Sequence, residues 1–324
     1  MLISIAELVG GFILLVWGAD RLVAGASALA RNLGVSPLVI GLTIVAFGTS
    51  APELVVSAVA AYRGNSGLAL GNAIGSNIAN IGLILGLTAT VYPLRIESKT
   101  LKQEYPVLVL IMLVSFAMAA NLVFSQLEGW LLLAGLVALL VWMARYGLRR
   151  GKDDPLAREF EAEIPRDMPT PHAVFWLLVG LVILPLSSSF LVEGAVFIAR
   201  SLHVSEAVIG LTIIALGTSL PELAAALTSA LRQEDDLAIG NIIGSNMFNI
   251  VGVLGIAAIV APVEVDPLIL KQDFPAMFLF TVLLFFMAVR FKGPGFINRR
   301  SGLMLLSLFC AYQVLVWMTA ARTA

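Results

Sequence analysis

The chain has 324 residues, 59% of them apolar and only 13% charged, whereas soluble domains run about 45–50% apolar and about 25% charged; a water-soluble fold is excluded. Lys plus Arg is 20 against 21 for Asp plus Glu, so no basic excess exists to grip nucleic acid phosphates, and nucleic acid is not a partner. The single Cys310 cannot close an internal disulfide, no zinc-ligand cluster or CxxC pair occurs, and no cofactor is expected.

A bilayer-spanning helix needs roughly 20 apolar residues. Such stretches fall at 4–30, 37–61, 68–91, 105–124, 127–147, 173–199, 206–230, 237–260, 274–291 and 302–319. The first runs into Asp20 and Arg21 without a small-residue cleavage site, so it reads as a retained span and not a signal peptide. Asp20 and Arg21 read as a self-compensating pair. The second span is interrupted by Gly48-Thr49-Ser50-Ala51-Pro52-Glu53. Proline removes an amide donor and displaces the carbonyl four residues earlier, which frees the Gly48 carbonyl. Thr49 and Glu53, four apart, share a helix face. The third span carries Asn72, Ser76 and Asn80 at intervals of four, with Asn77 beside them, and Gly71 and Gly75 form a small-xxx-small face. Its expected neighbour is the broken second span.

After the fifth span comes the polar interval 148–171, in which Pro155, Pro165, Pro169 and Pro171 break any long helix. The chain then repeats itself. GLTIVAFGTSAPEL at 41–54 returns as GLTIIALGTSLPEL at 210–223, and GNAIGSNIANI at 71–81 as GNIIGSNMFNI at 240–250. Over 41–86 against 210–255, 25 of 46 positions are identical, and LKQEYP at 101–106 continues the same register onto LKQDFP at 270–275. We therefore read 1–147 as a first five-helix repeat, 148–171 as a linker and 172–324 as a second five-helix repeat. Five spans is an odd number, so the second copy enters the membrane from the opposite face, the inverted arrangement that secondary transporters use for alternating access. The expected fold is an all-α polytopic membrane protein of ten transmembrane helices in two inverted repeats.

With the N-terminus outside, fifteen Lys and Arg fall on the inner side and four (Arg63, Arg200, Lys271 and Arg322) on the outer, as the positive-inside rule demands. This places both termini outside and the linker in the cytoplasm, in a multi-pass protein of the cell (inner) membrane. Trp130 and Trp317 read as interfacial anchors, His172 and His203 as span-end residues, and Glu193 as a packing or interfacial group.

Ser, Thr, Asn and Gly inside membrane helices ordinarily serve packing and interhelical hydrogen bonds, the role expected of Asn72 and Asn241. The carboxylates Glu53 and Glu222 differ. A membrane-embedded Glu costs at least a few kcal/mol unless paired or protonated, and spans two, three, seven and eight hold no Lys or Arg away from their ends. Hydroxyls, carboxylates and freed carbonyls make an all-oxygen set suited to Na⁺, Ca²⁺ or Mg²⁺ and not to a soft transition metal.

The tandem G-T-S-x-P-E and G-N-x-I-G-S-N-x-x-N motifs resemble those of the cation/calcium exchanger superfamily, and within it the prokaryotic sodium/calcium exchangers, over essentially the full chain. The resemblance implies a ten-helix fold in which helices two, three, seven and eight enclose the ion sites while helices one and six slide past them. It implies as ligands the Ala46 and Ala215 carbonyls, Thr49, Ser50, Glu53, Ser76, Asn80, Thr218, Ser219, Glu222, Ser245 and Asn249. Asparagine stands at both 80 and 249, where several family members have Asp, so Glu53 and Glu222 are the central carboxylates. It implies, finally, an antiporter that exports Ca²⁺ in exchange for Na⁺; burial and mutual repulsion of the two carboxylates lead us to expect that protons compete with the cations. A Ca²⁺/H⁺ antiporter is the nearest alternative and a cation channel a different class.

Overall fold

The structure, a computed structural model, describes residues 2–35, 37–96, 101–150, 168–201, 215–288 and 295–323. Most of the linker, the first part of the seventh expected span and His203 lie outside the described residues. The chain is mostly helical. Among the described residues eight helices are long and apolar enough to cross a membrane, and a pair bent by 50°, Gly41–Thr49 with Ala51–Tyr62, makes nine when it is taken as one span. Leu220–Leu231 is a shorter apolar helix.

The chain forms two compact units, and each draws on both sequence copies: Met1–Val55 with Leu136–Ser245, and Val56–Gly135 with Asn246–Ala324. In the first, α1 (Leu2–Leu33) runs antiparallel to the later helix Thr170–Ser201. Glycines set their separation. A Cβ added at Gly25 would lie 2.5 Å from the Leu177 amide nitrogen, and one at Gly194 2.7 Å from the Ser4 carbonyl oxygen. Gly11 and Gly180 meet the opposite helix in the same way, at Leu191 and Leu22. Gly25 and Gly194 are equivalent positions of the two copies, as are Gly11 and Gly180, so the close approach is built twice from the repeat. Leu22, Val23, Ala26 and Leu177 fill the seam.

Asp20 is not paired with its neighbour as the sequence suggested. It accepts hydrogen bonds from Arg232, from Nε at 3.0 Å and also from Nη2, while Arg21 turns toward Trp17 and Trp176. Adjacent residues on a helix point about 100° apart, so each took a partner from a different helix. Glu193 and His172 are exposed.

The second unit contains Ser66–Val91 and the described spans Glu104–Asn121, Ile269–Ala288 and Arg299–Thr319. It also contains four short strands that no alternation in the sequence announces. β1 (Leu94–Ile96) pairs antiparallel with β4 (Gly295–Ile297), and β2 (Val123–Phe124) with β3 (Val263–Glu264). Each ribbon joins a connection of one copy to a connection of the other. The expected packing of the third span on the broken second span is present: Ser57 Oγ donates to the Ala69 carbonyl at 3.1 Å, and Asn72 Nδ2 to Ser57 Oγ at 2.9 Å.

Candidate functional site

The break in the second span is a single residue. Ser50 leaves the helical region at φ −81°, ψ 7°, and its twin Ser219 does so at φ −90°, ψ 4°, both in the sparsely used bridge conformation. Helix resumes at once, with Pro52 and Pro221 in its first turn, where a missing N–H costs nothing. Glu53 and Glu222 fall in that same first turn, at the end of the helix dipole that favours a carboxylate.

The two motifs face one another within the first unit. Ser50 Oγ donates to Glu222 Oε1 at 3.1 Å, and Ser219 Oγ donates to Glu53 Oε1 at 3.4 Å. The serine of each copy thus serves the glutamate of the other. Both carboxylates are 1% exposed and close enough to repel each other. Glu222 Oε2 is buried without a hydrogen bond among the described residues. Two buried like charges held by hydroxyls are a strained arrangement unless a cation or proton intervenes.

Asn241, assigned to packing from the sequence, belongs to this cluster. Its Oδ1 accepts from Thr49 Oγ1 at 3.2 Å and its Nδ2 donates to the Glu222 carbonyl at 3.4 Å. The stripe Asn241, Ser245 and Asn249, at intervals of four, carried the signal, but the contact of Asn241 lies across the copies and no local rule exposes it. The freed carbonyls also behave differently from expectation. The carbonyl of Gly217 accepts from Ser188 Oγ, so a hydroxyl from the neighbouring helix takes the acceptor that Pro221 released. The Ala46 carbonyl accepts from the Ser50 amide at 3.1 Å and from Thr49 Oγ1 at 3.4 Å. Thr218 is half-buried beside Ser219, and Ala215 opens the short helix Ala215–Thr218.

Of the remaining candidates, Ser245 belongs to the first unit, with its Oγ buried and not hydrogen-bonded among the described residues. Ser76, Asn80 and Asn249 belong to the second, all buried. Asn80 and Asn249 each open a π-helical stretch, Asn80–Leu85 and Asn249–Leu254, a distortion that recurs at functional sites. Asn80 Nδ2 donates to Asn246 Oδ1 at 3.0 Å, which leaves Asn80 Oδ1 buried and unengaged. Asn249 has neither amide atom hydrogen-bonded among the described residues. Asn77, the twin of Asn246, instead donates to the Ala73 carbonyl of its own helix at 3.1 Å.

A fold of apolar helices around buried carboxylates, hydroxyls and amide oxygens defines an ion-carrying membrane protein. Comparison with known proteins gives the family. The sodium/calcium exchanger protein family matches residues 3–145 and 172–318. CaxA of Alkalimonas amylolytica is 48% identical over 317 residues, covering 98% of this chain and 99% of CaxA. The inner membrane protein YrbG of Escherichia coli (strain K12) is 41% identical over 324 residues, covering 98% of each chain. A solved structure of the sodium-calcium exchanger NCX_Mj superimposes with a TM-score of 0.82 at 33% identity, covering 96% of this chain and 97% of that one. The chain belongs to the sodium/calcium exchanger family, as a prokaryotic member of the cation/calcium exchanger superfamily: a multi-pass membrane transporter.

Proposed function

We propose that this protein exports Ca²⁺ from the cytoplasm in exchange for entering Na⁺, by alternating access at a site centred on Glu53 and Glu222. The reciprocal serine–glutamate contacts carry this reading. They bring two carboxylates from opposite copies to one buried place, matching the charge of a dehydrated Ca²⁺, while Thr49, Ser50 and Ser219 add the neutral oxygens that Na⁺ also uses. Thr218, the carbonyls of Ala46 and Ala215, and the polar atoms of Ser76, Asn80, Ser245 and Asn249 are the further ligands that the family's motif assigns. The carbonyl of Ala46 would exchange its internal donors for the ion.

Strand pairing supports the count of ten spans. β2 and β3 can pair only if an even number of crossings separates them. Three long helices, Gln126–Arg150, Thr170–Ser201 and Asp235–Val260, lie between, and the span expected at 206–230 makes the number even. The same parity holds from β1 to β4. Ten spans with a duplication at 147/172 invert the copies, and the fifteen-to-four basic split puts the termini outside and the linker in the cytoplasm. The inner membrane, where YrbG is named to reside, is the proposed location.

The test is radiolabelled calcium uptake into vesicles carrying the full chain, under a sodium gradient at uniform pH and under a pH gradient without sodium. Sodium-driven uptake is expected, with acid inhibiting through competition at the carboxylates. Uptake that follows the pH gradient and ignores sodium would replace this reading with Ca²⁺/H⁺ exchange, and single-channel currents would replace it with a pore.

A further inference from the structure

Arg21 is a charge in an apolar helix, and among the described residues it has no counter-charge. It follows Trp17 by one turn on the same face of α1. Its guanidinium carbon lies 4.7 Å from the ring centroid of Trp176 and 5.8 Å from that of Trp17, and the two indoles meet edge to face at 6.1 Å. Phe175 extends the aromatic group. Asp20 is engaged by Arg232, and among the described residues Arg21 forms no ion pair and its buried Nε no hydrogen bond. Two aromatic faces attract a cation, but they do not neutralise it.

The apolar surface shows how deep Arg21 lies. On α1 the exposed apolar side chains run from Ile5 to Trp17 and are not resumed before Leu33 at the helix end. On the antiparallel helix Thr170–Ser201 they begin at Val174 and Phe175, directly after the exposed His172. On α1 the apolar residues after Trp17 (Leu22, Val23 and Ala26) are buried against neighbouring helices, so the border is read from the antiparallel helix, where it falls at Val174–Trp176 and carries the residue type that marks the boundary between hydrocarbon and headgroups. The end concerned is the linker end, since Asn32 Nδ2 donates to the Met168 carbonyl at 3.1 Å. Arg21, which sits on α1 between Gly18 beside Ile183 and Gly25 beside Leu177, starts inside that border and extends its side chain toward the headgroups, with its guanidinium against Trp176. Its planar donors match a phosphate, and stacking on indole leaves their edges available.

We propose that Arg21, held between Trp17 and Trp176, binds the headgroup phosphate of an anionic phospholipid in the leaflet on the linker side. The site lies on the seam between the two long glycine-packed helices, and it does not depend on which ions the protein exchanges. The tryptophans report on it directly. In the full chain with Trp130, Trp142 and Trp317 replaced by Phe, dibrominated phosphatidylglycerol should quench the remaining fluorescence more effectively than dibrominated phosphatidylcholine. A local enrichment of roughly fivefold is expected, the factor that one basic residue at an anionic surface carries. Arg21→Gln should remove the preference and Arg21→Lys, which keeps the charge without the stacking plane, should retain part of it. A protein keeping Trp317 alone should show no preference. Equal quenching by the two lipids with Arg21 in place overturns the proposal without recourse to any variant, as does an undiminished preference in Arg21→Gln. Displacement of the lipid effect by millimolar inorganic phosphate would also overturn it, by making the site one for free anions.

Discussion

The two copies of the motif share 25 of 46 residues over 41–86 and 210–255, yet they do not hold the same bonds. Asn80 is tied to Asn246, whereas in the mirror-image pair Asn249 is unbonded among the described residues and Asn77 has turned onto its own helix. The side chains are identical at both places, so this difference is one of conformation. A buried amide left unpaired costs about 1–3 kcal/mol, and that cost falls on whichever of the two sides is left open. Other differences are written into the sequence. Ser188, which takes the Gly217 carbonyl, corresponds to Ala19 in the first copy, and Asp20, which holds Arg232, corresponds to Ser189. Duplication thus supplies two mirror-image arrangements, and a few unmatched residues bias them.

If the copies are equivalent at the centre, Glu53→Gln and Glu222→Gln should do equal damage. Each removes one of two charges that offset a divalent ion while keeping volume, so calcium transport in vesicles should fall to background in both at matched protein levels. Wild-type rates in either variant would remove that glutamate from the site.

The seam between the long helices offers the next test. An added methyl at Gly25 or Gly194 would meet backbone at 2.5 or 2.7 Å, an overpacking worth roughly 1–3 kcal/mol. Gly25→Ala and Gly194→Ala should therefore lower the melting temperature by similar amounts. A penalty confined to one of them would show that the twofold seam is not energetically symmetric.

The centre of this site was legible because a Pro-Glu step inside an apolar run has few innocuous explanations, and its repetition at the same offset has fewer. The helix break and the amide stripe followed from local rules. The rest depends on partners remote in the chain. Asp20 finds Arg232, Asn241 finds Thr49, and Ser188 caps the carbonyl that Pro221 released, all choices made by packing. The strands are two or three residues long, too short for an alternating pattern, and the π-helical turns at Asn80 and Asn249 use the same residues that an α-helix would.

The amide pairs should respond unequally. Asn246→Leu removes the acceptor that holds Asn80 Nδ2 and with it the amide orientation that leaves the buried Oδ1 unengaged, so calcium affinity should fall about tenfold, the equivalent of about 1.4 kcal/mol. Asn246→Asp keeps an acceptor and should restore most of it. Asn77→Leu, which breaks only a bond within its own helix, should change affinity less than threefold. Equal effects of the two Leu variants would mean that the asymmetry does not persist in the membrane. Ser188→Ala should cost about 1 kcal/mol of stability by leaving the Gly217 carbonyl unserved, and Ala19→Ser in the first copy should recover part of it, read as melting temperature.

The smallest effect is expected at Asp20. Its carboxylate and Arg232 are 39% and 41% exposed, so solvent screens the pair, and Asp20→Asn should cost less than about 1 kcal/mol, or about 1–2 °C, vanishing in molar salt. Glu234 provides the contrast on the same connection. Burial raises its carboxyl above its ordinary value despite Ser27, Arg31 and Arg232, so the folded protein keeps that proton to a higher pH than the unfolded chain does. Its contribution is complete below the unfolded value and is lost as pH rises through the folded one. Melting temperatures followed from acid toward neutral pH should carry this downward trend. Glu234→Gln should flatten it. A downward trend that survives Glu234→Gln unchanged would place the retained proton on another group.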